Sequence, residues 1–164
     1  QYFLSHKPIQ SVQIEERSSW GDQRGLTQWA TGFANANQDT TWKGALRRAL
    51  DNAASDVDRA YEDLVAPFEV DPWDLRNKYL PALFAGQTPD EFIAEQIPKM
   101  KPAQRESLKT LFQAERLTQR MYNSYTFTDN QIDGRQPRYA IACAATALAL
   151  AQQATGRDLN DRFP

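Results

Sequence analysis

Apolar side chains between Thr41 and Leu64 return at three- and four-residue steps: Trp42, Ala45, Leu46, Ala49, Leu50, Ala53, Val57, Ala60, Tyr61 and Leu64. This spacing gathers them on one face of an α-helix, because a helical turn takes about 3.6 residues. Thr40 or Thr41 stands where it can cap the start, and Pro67 blocks continuation beyond Ala66.

The same grammar recurs downstream. Asp71-Pro72-Trp73-Asp74 puts an acidic cap, a proline in the first turn and a carboxylate near the positive end of a second helix that stops by Gly86. Thr88-Pro89-Asp90-Glu91 is a capping box for a shorter helix ended by Pro98, and Lys101-Pro102 opens another. From Ala103 to about Tyr125, Leu108, Leu111, Phe112, Ala114, Leu117, Met121 and Tyr122 predict a long helix, followed by a structured loop of polar residues from Thr126 to Gly134. The last helix, about Gln136 to Ala154, carries alanine at 140, 142, 144, 145, 147, 149 and 151. Neighbouring backbones can approach such a surface closely, so this helix is expected to be central, with Gly156 as its stop. No repeat, low-complexity tract or alternating β pattern of useful length interrupts the series. The prediction is an all-α, single-domain bundle of about five or six helices over 17–164, preceded by an extended or mobile segment over 1–16. With 164 residues, such a domain buries a core without disulfides.

Charge narrows the functions. Nineteen basic against 21 acidic side chains leave a formal charge of −2, which lacks the basic footprint of a nucleic-acid binder. The apolar run from Tyr139 to Ala151 is too short to span a bilayer. Cys143 lies within that run, where a lone thiol behaves as a small core residue. The first residues show neither an initiator Met nor a secretory pattern, so the chain reads as processed or cut from something longer. Cytoplasm is the default compartment for a chain with no signal and no cysteine pair.

Most catalytic constellations lack their parts. One histidine, His6, cannot supply the paired Glu-x-x-His of a di-metal bundle, a zinc site or a Ser-His-Asp set. No metal or cofactor is expected. Asp51, Asp58 and Glu62 read as one solvated helical face. Glu115 and Gln119, near the apolar stripe of the long helix, read as buried hydrogen-bonded groups, with a perturbed acid at Glu115 as the alternative.

Two clusters stand out as candidate binding surfaces. The first runs from Arg17 to Trp29 and holds Trp20, Asp22, Arg24 and Trp29; indole faces stack on sugars or cations, and Arg or Asp can orient a polar ligand. Its ordinary reading is two tryptophans filling a core. The second runs from Arg120 to Asn130, including Tyr122, Ser124 and Asp129, where functional loops often sit, and its ordinary reading is a set of helix-ending caps and turns. The binding reading requires the two clusters to meet on one partly open surface.

Four segments carry a resemblance. Ser19-Trp20 followed by Gly25 and Trp29 resembles a Ser-Trp-Ser-Cys-x-His-Gly-x-x-x-Trp pattern. Trp42-x-x-x-Leu46-Arg47-x-Ala49-Leu50-Asp51, Asp71-Pro72-Trp73-x-x-Arg76-x-x-Tyr79 and Met121-Tyr122-x-Ser124 follow in the same order. Together, over about Arg17 to Ala151, they resemble domain-of-unknown-function family 3536. That family is similar to the C-terminal helical part of bacterial proteins whose N-terminal part resembles glycoside hydrolase family 57, enzymes that act on α-glucans through two acidic residues in a distorted barrel. The resemblance implies a noncatalytic accessory module beside a carbohydrate-processing cleft, with a catalytic barrel domain or another protein as partner and a saccharide as ligand. Trp20, Trp29, Trp73, Tyr122 and Ser124 would be its ligand contacts. The family's Cys falls on Asp22 and its His on Arg24.

Two other classes compete with this reading. One is a protein-interaction module that docks through an exposed apolar face. The other is an enzyme using Asp22, Glu115 or Asp129 in a pocket between helices, which requires two of those carboxylates to converge.

Overall fold

The computed structural model describes residues 30–35 and 38–159. Among the described residues five α-helices make the body: α1 (Trp42–Val65), α2 (Pro72–Phe84), α3 (Pro89–Gln96), α4 (Pro102–Met121) and α5 (Arg135–Thr155). The fold is an all-α helical bundle. A two-residue antiparallel ribbon precedes it, β1 (Ala34–Asn35) pairing with β2 (Gln38–Asp39) in the register Ala34 to Asp39. Two-residue strands leave no alternation to detect, so the ribbon is invisible to periodicity.

Local chemistry sets most of the boundaries. Asp71 accepts from the Asp74 amide at 2.6 Å at the start of α2, while Thr88 and Glu91 form the reciprocal capping box of α3. Prolines 72, 89 and 102 each occupy a first turn, where no intrahelical N–H bond is lost. Gly156 ends α5 at φ 68°, the left-handed conformation that glycine adopts without penalty. Pro81 lies inside α2 and, having no N–H, cannot donate to the Asn77 carbonyl one turn earlier.

Two boundaries depart from the sequence-based expectation. Thr41 sits at the N-cap of α1, but its side chain makes no cap bond. Asp39 takes both the Thr41 amide, at 2.9 Å, and its hydroxyl, at 2.6 Å. Thr40 instead turns inward, its hydroxyl bridging the Phe33 amide and carbonyl at 3.0 and 3.1 Å. The long helix ends at Met121, four residues earlier than expected, because the Asn123 side chain captures the Tyr125 amide at 2.9 Å and starts a 3-10 turn, Ser124–Phe127.

Helices α1, α4 and α5 pack on one another, and the α2–α3 hairpin covers one side of α1 and α4. Ala140, Ala144, Ala147 and Ala151 of α5 are fully buried, so the small-residue stripe faces its neighbours. The outer face, with Ile141, is open, so α5 is one of three mutually packed helices rather than a surrounded core. The hairpin docks through aromatic rings. Tyr79 of α2 stacks on Phe112 of α4 at 3.9 Å, while Phe92 of α3 and Tyr61 of α1 close the cluster at 6.3 and 5.8 Å from Phe112. Cys143 is buried in the core as expected. No helix among the described residues is long and apolar enough to cross a membrane.

Candidate functional site

Lys43, Arg47, Asp51 and Asp58 follow one another on α1 at four- and seven-residue steps, which puts them on one helical face. That face does not look at water as a whole. Lys43 is only 3% exposed, and Asp51 and Asp58 meet partners from α4. The solvated-face reading holds for Asp51, which stays exposed while bonding Tyr122, and fails for Asp58, which is half-buried beside Glu115 of α4.

At one end the Arg47 guanidinium sits 4.0 Å above the buried Phe127 ring. Next along the seam, the Tyr122 hydroxyl donates to Asp51 Oδ1 at 2.6 Å. Burial first, then the bond to Asp51 and that carboxylate's charge, push the Tyr122 phenol far above its ordinary range, so it remains a donor. Burial lowers the pKa of the Lys43 amine, and the negative charge of Asp129 opposes the shift.

At the other end Glu115, with its side chain 4% exposed, pairs with Arg76 of α2 at 2.9 Å. Its pKa rises from an ordinary 4.5 to about 7. Burial is the main cause and the adjacent Asp58 carboxylate the next, with the Arg76 bond pulling the other way. Glu115 Oε1 is buried with no donor of its own, and a proton on it, directed at Asp58, satisfies both carboxyl groups. Around this pair, Arg76 lies 4.4 Å over the Trp73 ring, Trp73 is 6.1 Å from Tyr61, and the Tyr61 hydroxyl donates to the Pro72 carbonyl at 2.6 Å. The arrangement holds one proton near neutrality beside a fixed guanidinium. Among the described residues no group of His, Cys, Asp and Glu side chains could hold a metal ion.

The site residues expected from sequence fare differently. Trp20, Asp22, Arg24 and Trp29 lie outside the described residues, as does the Ser124 side chain. Trp73 is half-buried, with one face taken by Arg76. Tyr122 terminates α4, and Asp129 lies in the following loop, its carboxylate so close to Gly134 that a β-carbon there would fall 2.1 Å from Oδ2. The two ends are joined through Asp58, whose charge reaches both Glu115 and Tyr122.

Among the described residues the carboxylate beside Glu115 is Asp58 rather than Asp129, and Asp22 lies outside them. Gln119, expected to be buried, is exposed on the wall of a pocket between α2 and α4. Lys43, Arg47, Asp58 and Arg76 were not anticipated as site residues. Their spacing on helices was readable, but nothing local tells which faces meet. The exposed apolar side chains include Leu80 and Phe84, one turn apart on α2.

No curated protein and no solved structure matches the chain. Residues 37–164, which contain all five helices and both ends of the seam, match the family model described as a domain of unknown function, DUF3536, and the chain belongs to that family.

Proposed function

We propose that this domain is a noncatalytic accessory module that binds α-glucan and supports a catalytic partner resembling a family 57 glycoside hydrolase. The observation that carries the reading is the edge at the end of α4. Tyr122 is 37% exposed, with its hydroxyl held by Asp51, and Tyr125 is 64% exposed three residues on. An aromatic face beside a fixed carboxylate suits a sugar ring, which offers C–H groups to the ring and hydroxyls to the acid. The tryptophan-rich segment from Arg17 to Trp29 would complete this surface. Titration of the full chain with maltooligosaccharides, followed by NMR, tests the reading: shifts at Tyr122 and Tyr125 that vanish in Tyr122→Ala support it. Silence across several α-glucans refutes saccharide binding. Stimulation of a barrel partner by the added domain tests the supporting role.

A second reading, an enzyme using buried carboxylates between helices, is favoured by the Asp58–Glu115 pair, since an acid that keeps its proton to about pH 7 is a competent proton donor. Release of reducing ends from maltooligosaccharides by the chain alone, abolished in Glu115→Gln, would move the domain to this class. Absence of cleavage by the native chain at pH 5 to pH 8 would remove that support.

A further inference from the structure

Between α2 and α4 the surface opens into a pocket of about 440 Å3, the size range of small-molecule sites. Its floor is the stacked pair Tyr79 and Phe112, and Leu80 and Pro81 continue the apolar wall along α2. Two guanidinium groups flank it. Arg76 is held by Trp73 beneath its plane and by Glu115 at one nitrogen, which leaves its other N–H groups uncommitted to that pair. Arg116 stands exposed on the opposite helix. Glu115 is the one carboxylate in the pocket lining, so it offsets at most one of these two cations. The wall is too apolar for a ligand made only of hydroxyls, and its excess charge is positive.

We infer that this pocket binds a small organic carboxylate carrying an apolar or aromatic body, with the body on the Tyr79–Phe112 floor and the carboxylate between Arg76 and Arg116. The ring or branched chain gains by leaving water, while the guanidiniums supply charge-assisted hydrogen bonds in the geometry a carboxylate prefers. None of Asp51, Tyr122 and Tyr125 lines the pocket, so this inference stands whether or not that edge binds saccharide.

Affinity should depend on pH through Glu115. The groups facing it are Asp58 and Tyr61 from α1 and Arg76 from α2, with Arg116 and Gln119 following on its own helix. As Glu115 loses its proton, Arg76 becomes fully neutralised and the excess positive charge falls.

The test is NMR titration of the full chain with phenylacetate and with its neutral isostere phenylacetamide. Phenylacetate should bind about tenfold more tightly, with shifts centred on Tyr79, Leu80, Phe112 and Gln119. Arg116→Gln, an exposed substitution, should erase most of that preference while leaving the thermal midpoint unchanged. Glu115→Gln should abolish the decline in phenylacetate affinity between about pH 6 and about pH 8. Equal affinity for acid and amide, shifts centred elsewhere, or no binding of either at millimolar concentration would overturn the inference.

Discussion

Replacing Glu115 with glutamine keeps the side chain's shape and its bond to Arg76 but removes an ionisation that opposes folding. The folded chain holds the Glu115 proton to about pH 7, whereas an unfolded glutamate releases it near 4.5. Between these values the folded state binds more protons than the unfolded state, so stability falls as pH rises through the window and levels off above it. A displacement of that size corresponds to about 3 kcal/mol, at about 1.4 kcal/mol for each tenfold change in proton affinity. With the side chain 4% exposed, little of this is screened by solvent. Glutamine can accept from Arg76 and donate to Asp58, so Glu115→Gln should gain about 3 kcal/mol on the native protein between about pH 4.5 and about pH 8. Urea unfolding followed by far-ultraviolet circular dichroism at several pH values measures the difference, and Asp58→Asn should shrink the native protein's decline by removing the second cause. Parallel stability profiles for the native protein and Glu115→Gln across the window would refute the reasoning.

Three further outcomes follow from packing and capping. Phe112→Ala, at a position 1% exposed where four rings meet, should cost about 3 to 5 kcal/mol in urea unfolding. A loss below about 1 kcal/mol would show that the α2–α3 hairpin does not depend on this cluster. Ala144→Leu should cost about 1 to 3 kcal/mol by overfilling the close face of α5, whereas Ala145→Leu on its exposed face should stay within about 0.5 kcal/mol. Thr88→Ala should cost about 1 kcal/mol at neutral pH. That penalty should shrink in acid, because the Thr88 bonds that hold the Glu91 pKa below its ordinary value act on the ionised carboxylate; a penalty constant down to low pH would refute the capping box as its source.

The helices were legible because their determinants lie within a few residues of one another. The α1 stripe, the Asp71 cap, the Thr88–Glu91 box and the left-handed Gly156 each depend on torsions and hydrogen bonds within a turn or two. Local rules failed where two neighbours competed for one bond. Asp39 reached the Thr41 amide and hydroxyl, and Asn123 captured an amide that would otherwise have continued α4. Trp73 was visible as a distinctive residue in a helix start, but that Arg76 would cover its ring depended on the position of Glu115.

Sequence alone determined that this chain is a bundle of helices with defined caps, because helix formation reports the period of apolar residues and the chemistry of each terminus. Only tertiary structure decided that Asp58 would adjoin Glu115 and that Arg76, 39 residues before Glu115, would hold it. A carboxyl group's proton affinity depends on how much water and which charges surround it. Those are set by which helix faces come together, a choice that no residue's near neighbours contain.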